Sequence, residues 1–396
     1  MVGSGFRRQM EQLGRRLRLG YVGGGEGSVI GATHRFGARL DGRYDIVAGA
    51  FDIEPARGRD FARGLFLDPA RVYDGYGDLI RAEKARPDPV DLVGVLTPNH
   101  SHFEIARALI DAGFNVLCEK PMTTSTRDAV ELADLARARG VILAVMYGYS
   151  GYPMARQARG MVAAGEIGRV RLIECEFASG NPATMSETAG GHWRTTPGIA
   201  GPAAVLGMTG THAVHMTTFV SGLALEALSA DLQTFVPGRK LEDNAHLLLR
   251  FAGGARGCIW NSYTAAGQEH GLRIRVFGET GGLEWDQEDA NRLIHRVPGQ
   301  GARVLTRGSG ETLPEVRETL RVAIGHPEGF IEAFGNIYCD VADAITLKLT
   351  GADPSQIAYP GIDDGVAGVL FVDAAVESHR RGGAWVRTDS PALEPA

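Results

Sequence analysis

The sequence predicts an α/β protein in which a doubly wound parallel sheet is followed by an α/β domain with a large, mostly antiparallel, open sheet. Two patterns support this prediction. Short apolar runs alternate with helical stretches over residues 1–150, and strand-like runs joined by short turns follow them. At about 150 residues per domain, a chain of 396 residues should form two or three domains. We expect one domain over residues 1–150, with a basic N-terminal arm at residues 1–17, and a second over residues 151–396.

The apolar runs of the first part have the length of strands that are buried on both faces. Between them, two stretches have helical periodicity, with apolar residues on one side and charged residues largely on the other. Such alternation predicts a parallel sheet with right-handed crossovers and helices on both faces. The predicted strands are residues 19–22, 46–51, 92–96, 116–118 and 141–145, and the helices include residues 103–112 and 125–139.

The pattern changes after about residue 150. Turn signals such as Pro237-Gly238 and Gly281-Gly282 separate short strand-like runs, which favours antiparallel pairing. Two helices are expected near the end of the chain, at residues 330–347 and 364–380. The predicted strands of this part are residues 170–177, 225–235, 246–251, 257–262, 272–277 and 282–285.

Composition and charge exclude several classes of protein. Hydrophobic residues make up 44% and charged residues 22%, which is ordinary for a globular protein and excludes a largely disordered chain or a fibre. The net charge of −6 favours neither nucleic acid nor a membrane surface as a partner. No apolar run approaches the roughly 18 residues needed to cross a bilayer. The four cysteines lie far apart, which is typical of free thiols in a reducing compartment, so we expect a cytoplasmic protein.

A glycine-rich turn follows the first predicted strand. Its pattern, Gly23-x-Gly25-x-x-Ser28, matches the dinucleotide-binding fingerprint of a Rossmann domain, with serine in the third small position. The first glycine makes the turn, the second lets the backbone approach a pyrophosphate, and the third position lets the helix pack on the strand. The following helix directs free N–H groups towards phosphate. The residues predicted to bind the cofactor here are Gly23, Gly25, Glu26, Gly27 and Ser28.

The second predicted strand is followed by a carboxylate, Asp52. A carboxylate at this position can accept hydrogen bonds from the ribose hydroxyls and would repel a 2′-phosphate, so we expect NAD rather than NADP. The alternative is that Asp52 only caps the next helix.

Two further polar segments follow predicted strands of the first domain. They are Thr97-Pro-Asn-His-Ser-His102 and Glu119-Lys120-Pro121. Both would lie at the carboxyl ends of strands, where doubly wound sheets bind their ligands. A lysine there can exchange a proton if burial and neighbouring charges lower its pKa.

The glycine turn, Thr-Pro-Asn-His-x-x-His and Glu-Lys-Pro, in this order and spacing, resemble the Gfo/Idh/MocA oxidoreductases. Two later segments, Trp193-Arg194 and Gly210-Thr-His212, also resemble the family. Three others resemble most the branch that contains levoglucosan dehydrogenase and related pyranoside oxidoreductases; they are Gly151-Tyr-Pro153, Asp243-Asn-Ala-His246 and His326-Pro-Glu-Gly-Phe330. Members of the family join a Rossmann domain to an α/β domain whose open sheet often forms an oligomer interface. The resemblance therefore implies a homo-oligomer, either a dimer or a tetramer.

The resemblance also implies residue roles. Lys120 matches the lysine that usually acts as acid and base beside the nicotinamide, and His212 matches the histidine that usually contacts the reacting hydroxyl. The positions that match residues in contact with the cofactor are Thr97, Pro98, Asn99, His102, Glu119, Lys120, Trp193 and Arg194.

This chain departs from the family pattern at positions expected to face the substrate. The family usually has Asp-x-Gly-x-His, whereas this chain has Met208-Thr-Gly-Thr-His212, and methionine cannot accept a strong hydrogen bond. His212 and His215 could share a helix face, but no neighbouring acidic residue or cysteine completes a ligand set, so we predict no metal. The predicted substrate-binding residues are Lys120, Tyr147, Tyr149, Met208, His212 and His215.

These observations predict an NAD-dependent oxidoreductase that acts on a secondary hydroxyl or ketone of a pyranoside or cyclitol. Because of Met208, two alternatives stay open. One is a redox-neutral lyase, hydrolase or epimerase that oxidises its sugar only transiently. The other is a catalytically weak subunit that holds nucleotide within an assembly.

Overall fold

The computed structural model describes residues 4–180 and 196–388. Within these ranges the chain divides into two compact units. The first unit contains the described residues up to Met122, together with Asp128–Gly151 and Phe330–Gly365. The second contains Thr123–Arg127, Tyr152–Gly329 and the described residues from Val366 onwards. The expected division at residue 150 therefore differs from the structure, because a late helix returns to the first unit.

The first unit contains a five-stranded sheet with the order β2-β1-β3-β4-β5 among the described residues. All of its strand pairs are parallel. Its third, fourth and fifth strands along the chain consist entirely of buried residues and so match the prediction of strands covered on both faces. The strands are β1 (Leu17–Gly23), β2 (Tyr44–Ala50), β3 (Leu92–Leu96), β4 (Val116–Cys118) and β5 (Leu143–Val145).

The second unit contains a nine-stranded sheet with the order β13-β12-β11-β10-β6-β9-β8-β7-β14 in the described part of the chain. Its strand pairs are antiparallel except for β6 with β9. The fold class predicted from the sequence is thus confirmed, although β12 to β14 were not expected. The strands are β6 (Val170–Ala178), β7 (Leu225–Gln233), β8 (Asn244–Phe251), β9 (Arg256–Ser262), β10 (Gly271–Gly278), β11 (Gly282–Asp286), β12 (Arg292–Arg296), β13 (Arg303–Thr306) and β14 (Val386–Arg387).

The α-helices connect and cover these two sheets. In chain order they are α1 (Ser4–Leu13), α2 (Val29–Arg39), α3 (Pro55–Gly64), α4 (Tyr76–Lys84), α5 (His102–Asp111), α6 (Thr126–Arg139), α7 (Pro153–Ala163), α8 (Thr211–Ser221), α9 (Pro314–Arg317), α10 (Phe330–Leu349) and α11 (Ile362–Arg380). No helix in the described ranges is long and apolar enough to span a membrane.

The segment expected to be a basic arm contains helix α1, which the sequence analysis did not predict. Gln9 is fully buried, and its side-chain amide donates a hydrogen bond to the carbonyl of Arg43 at 3.0 Å. The guanidinium of Arg43 donates in turn to the side chains of Gln9 and Asp343. These contacts with residues far along the sequence dock the helix on the first unit.

Helix α10 packs against α2 within the first unit. A Cβ atom added to Gly37 would lie 2.9 Å from the Cβ of Phe334, so the small residue permits the close approach of the two helices. Phe334, Ile337 and Tyr338 join the buried core beneath β1. A segment that lies almost 300 residues after α2 thereby completes the core of the N-terminal sheet.

One face of the nine-stranded sheet packs against α7 and α8, and the other is open among the described residues. Strand β8 alternates between buried and exposed residues, as expected for a sheet covered on one side. On the open face, Leu172 is 52% exposed and Leu248 is 57% exposed. The sheet therefore presents apolar side chains to solvent in the single chain.

Candidate active site

The glycine turn after β1 adopts a conformation that only glycine allows readily. Gly23 and Gly24 have φ angles of 79° and 71°, in the left-handed region. A Cβ atom on Gly25 would lie 2.6 Å from the carbonyl oxygen of Phe51. The turn thus lies directly against the end of β2, and side chains are absent where a pyrophosphate would approach the backbone. These features fit a dinucleotide.

The structure corrects the position of the third small residue of the fingerprint. A Cβ atom on Gly31 would lie 2.3 Å from the carbonyl oxygen of Gly24, so α2 approaches the turn at Gly31. Ser28 instead caps α2, because its hydroxyl accepts a hydrogen bond from the backbone N–H of Gly31 at 3.1 Å. Glu26 and Gly27 are exposed in the turn. In the sequence, only the presence of another glycine three residues after Ser28 could have indicated that the helix approaches the turn at Gly31.

Asp52 lies just beyond the carboxyl end of β2. One carboxylate oxygen accepts a hydrogen bond from the backbone N–H of Glu54 at 2.9 Å. The other lies 3.4 Å from the guanidinium of Arg57. The side chain thus supports the start of α3, and the proposed contact of Asp52 with a ribose stays a prediction.

His102 joins the two polar segments that follow β3 and β4. Its Nε2 lies 2.8 Å from the carbonyl oxygen of Thr97, and its Nδ1 lies 2.8 Å from that of Pro121. The side chain is buried, and burial lowers its pKa. The structure shows how His102 holds the Thr97-Pro98-Asn99 loop and the Glu-Lys-Pro turn together, which the sequence did not reveal.

Glu119 and Lys120 lie in the turn after β4, and both are buried. One oxygen of Glu119 accepts a hydrogen bond from the backbone N–H of Lys120 at 3.2 Å. The other accepts from Nε2 of His34 at 2.7 Å. Burial alone would raise the pKa of Glu119, but the hydrogen bond from His34 and the positive charge of Lys120 hold it below its usual value. His34 is a residue that sequence reasoning missed.

In the second unit, Met208 and His212 lie on one continuous helical segment. Residues Leu206–Gly210 form a π-helical turn that leads directly into α8. Single π turns are frequent at functional sites. His212 lies 6.3 Å from the ring of Phe177, and His215 stacks on Phe219 at 5.7 Å between ring centroids.

Both histidines of this helix are buried, and Met208 is partly exposed. In the described part of the chain, no group of three or more His, Cys, Asp or Glu side chains lies close enough to hold a metal ion.

Glu242 anchors the beginning of this helical segment. Its two carboxylate oxygens accept hydrogen bonds from the backbone N–H groups of Ala204 and Leu206, each at 3.0 Å. Burial raises the pKa of Glu242 to about 7, against the effect of these hydrogen bonds. No sequence pattern indicated this contact, because it joins residues almost 40 positions apart.

The tyrosines predicted to bind substrate are buried in the first unit. Tyr147 is fully buried, and Tyr149 is 4% exposed, with its ring centroid 5.7 Å from that of Phe330. Their proposed contact with substrate stays a prediction. Trp193 and Arg194, which were expected to reach the cofactor, lie outside the described residues.

The comparisons with known proteins agree with this geometry. A family model described as "Oxidoreductase family, NAD-binding Rossmann fold" matches residues 17–147, and one described as "GFO/IDH/MocA C-terminal domain" matches residues 155–284. The chain belongs to the Gfo/Idh/MocA oxidoreductase family. The predicted family, enzyme class and NAD-binding Rossmann domain are therefore confirmed.

Similar proteins cover between 71% and 95% of this oxidoreductase. An uncharacterized oxidoreductase of Bacillus subtilis, YfiI, is 36% identical over 94% of this chain and 97% of its own length. An inositol dehydrogenase homologue from Azotobacter vinelandii, solved with NADH and myo-inositol, is 40% identical with a TM-score of 0.90, covering 95% of this chain and 98% of that one. Levoglucosan dehydrogenase of Pseudarthrobacter phenanthrenivorans is 25% identical over 71% of this chain and 77% of that protein.

We predict that Gly31→Ala weakens NAD binding. The added Cβ would collide with the backbone of Gly24, which must shift, and such overpacking costs about 1–3 kcal/mol. Gly64→Ala is the matched control, because at the end of α3 nothing outside the neighbouring residues and backbone of that helix lies within 4 Å of the Cβ position. Calorimetric titration with NAD and thermal unfolding measure the two effects. Unchanged NAD affinity in Gly31→Ala would show that the helix need not approach the turn so closely.

We predict that Glu242 makes stability depend on pH. Because its native pKa of about 7 exceeds the ordinary value of 4.5, its contribution is fully present below pH 4.5 and is lost as the pH rises to about 7. At about 1.4 kcal/mol per pKa unit, the unfolding free energy of the wild type should fall by about 3 kcal/mol relative to Glu242→Gln over this range.

Urea unfolding at several pH values measures this difference. Glu166→Gln, which changes an exposed glutamate, is the control and should run parallel to the wild type. Parallel curves for Glu242→Gln as well would contradict the raised pKa.

Proposed function

We propose that this oxidoreductase uses NAD to oxidise a secondary hydroxyl of a pyranoside or cyclitol, or to reduce the corresponding ketone. The proposal rests mainly on the buried Lys120 at the carboxyl end of β4. Since β1 and β4 belong to the same parallel sheet, their carboxyl ends lie at the same edge as the glycine turn. The inositol dehydrogenase homologue that was solved with myo-inositol supports a cyclitol or sugar as substrate.

Residues of this chain would hold the cofactor and handle the proton. The glycine turn and the first turn of α2 would bind the pyrophosphate, and Asp52 would bind the adenosine ribose. When bound, NAD supplies a nicotinamide that accepts a hydride. Lys120 would take the proton of the substrate hydroxyl during oxidation and return it during reduction. His212 would orient the reacting oxygen by a hydrogen bond.

Met208, which stands where the family pattern has aspartate, is the one observation that favours the second candidate function, a redox-neutral reaction. Methionine replaces a carboxylate of the family pattern at the π turn that precedes His212, so a strong acceptor for a sugar hydroxyl is missing there. An enzyme that eliminates or inverts a group after transient oxidation could tolerate this loss. If the protein catalyses neither reaction, the remaining alternative is a catalytically weak subunit that holds nucleotide within an assembly.

The open face of the nine-stranded sheet supports a homo-oligomer. Apolar residues such as Leu172 and Leu248 are more than half exposed there, and a second copy could cover them. We therefore propose a dimer or tetramer formed through this face. A cytoplasmic location, inferred from the cysteines, stays a prediction.

Incubation with excess NAD and a panel of pyranosides and cyclitols tests the proposed reaction. Mass spectrometry quantifies both the reduced cofactor and the modified sugar. We expect equal amounts of reduced NAD and keto product, abolished in Lys120→Met and retained in Lys84→Met, which changes an exposed lysine. A modified sugar without reduced NAD would favour the redox-neutral enzyme. NAD binding without any product would favour the assembly subunit.

The preference for NAD is tested separately with Asp52→Ser. The change removes the charge that would repel a 2′-phosphate and releases Arg57, 3.4 Å away, to pair with it. We expect the ratio of kcat/KM for NADP to that for NAD to rise by at least about tenfold. Glu54→Gln removes a neighbouring exposed charge but keeps the backbone contact to Asp52, so it should leave the ratio nearly unchanged. An equal rise in both variants would contradict the role of Asp52.

A further inference from the structure

A chain of buried hydrogen bonds crosses the first unit and ends at the Glu-Lys-Pro turn. The hydroxyl of Tyr21 on β1 lies 3.0 Å from the hydroxyl of Tyr338 on α10. The latter lies 2.7 Å from Nδ1 of His34 on α2, and Nε2 of His34 lies 2.7 Å from Glu119. Tyr21, His34 and Tyr338 are at most 1% exposed, and Glu119 is 7% exposed.

The chemistry of the groups determines the direction of these hydrogen bonds. A carboxylate only accepts, so Nε2 of His34 carries a hydrogen and donates it to Glu119. In a neutral imidazole, Nδ1 then accepts from the hydroxyl of Tyr338. Burial raises the pKa of Tyr338 well above its usual value, so this hydroxyl keeps the proton that it donates. Tyr338 thereby selects the tautomer of His34 that can hold Glu119.

Glu119 is held on both sides by this arrangement. His34 donates to one carboxylate oxygen, and the backbone N–H of Lys120 donates to the other. A buried carboxylate stays ionised only if hydrogen bonds and opposite charges compensate for its lost hydration. Without the hydrogen bond from His34, burial would shift Glu119 towards its neutral form. The negative charge beside Lys120 would then be lost.

We propose that His34 is a positioning residue that keeps the Glu119 carboxylate charged and in place, so that Glu119 favours the protonated form of Lys120. The inference rests on the proposed role of Lys120 as acid and base, and it assigns control of that role to a residue on α2. The other titratable groups around Glu119 do not provide the same control. Burial raises the pKa of the Cys118 thiol and of the Tyr147 and Tyr338 hydroxyls. It lowers the pKa of the His102 imidazole, so all four groups favour their neutral forms.

A purely structural role for His34 would have different consequences. Its ring packs edge-on against Phe334 at 5.1 Å and against Tyr338 at 5.8 Å between centroids. If packing were its only role, removal of the ring nitrogens would change stability but not the titration of Lys120. The titration of Lys120 therefore distinguishes the two roles.

The variants separate the hydrogen bond from the packing. His34→Phe keeps an aromatic ring among aromatic neighbours but removes the donor to Glu119. His34→Gln keeps a donor and should restore the wild-type behaviour in part. Tyr44→Phe is the matched control, because the hydroxyl of Tyr44 is buried in the same cluster but donates only to the backbone carbonyl of Tyr338, at 2.9 Å.

Nuclear magnetic resonance can follow Lys120 directly, because the chain contains only four lysines: Lys84, Lys120, Lys240 and Lys348. Protein grown on lysine labelled with ¹³C at Cε gives one titrating signal for each, and Lys120→Arg identifies that of Lys120. We expect the midpoint of Lys120 to move to lower pH by about one unit in His34→Phe and in Glu119→Gln. The double variant should show no further shift, and Tyr44→Phe should match the wild type.

The pH profile of kcat/KM for sugar oxidation gives the second measurement. The pH at which kcat/KM reaches half of its increase should fall by the same amount as the midpoint of Lys120, because oxidation needs the neutral amine. An unmoved Lys120 midpoint in His34→Phe overturns the inference, whatever the activity. A shifted midpoint with an unshifted activity profile supports the role of His34 but refutes that of Lys120 as acid and base. If His34→Phe does not fold, Tyr338→Phe and Glu119→Gln replace it, and unmoved midpoints in both overturn the inference.

Discussion

The close approach of α2 to the glycine turn is the constraint on which the first unit depends. At Gly31 the helix lies so near the backbone of Gly24 that even a methyl group would collide. This contact sets where α2 begins and how its first N–H groups face the space above the sheet. The same orientation points the buried side of α2, including His34, towards the end of β4. The cofactor turn and the Glu-Lys-Pro turn are thus positioned by the same helix.

Helix α10 provides the other half of this arrangement. It belongs to the last part of the sequence but packs on α2 and supplies the side chains that surround His34. Tyr338 contacts Tyr21, His34 and Tyr44, so one residue links β1, α2 and β2. The electrostatic setting of a turn after β4 is therefore decided in part by a segment more than 200 residues later. This dependence follows from the burial of polar groups, each of which needs a partner in the core.

Two buried carboxylates illustrate how the surroundings decide protonation. Glu119 and Glu242 are similarly buried, and burial raises the pKa of both. Glu119 also accepts a hydrogen bond from His34 and faces the charge of Lys120, and its pKa ends below the usual value. The contacts that lower the pKa of Glu242 are backbone hydrogen bonds, and its pKa ends near 7. Glu119 therefore keeps its negative charge beside Lys120. Glu242, at the start of the segment that leads to His212, can be neutral.

The sequence by itself determined the fold class, which strand each motif follows, and the choice of NAD as cofactor. These depend on local properties: the spacing of apolar residues, the conformational freedom of glycine in Gly23-x-Gly25, and the covalent link of Lys120 to the end of β4. Only the tertiary structure decided the role of Gly31 instead of Ser28, the helix at the N-terminus and the return of α10 to the first unit. It also revealed the hydrogen bonds of His34, His102 and Glu242. Each of these is a contact between groups distant along the chain, formed because buried donors and acceptors must pair, and no local pattern records such a pairing.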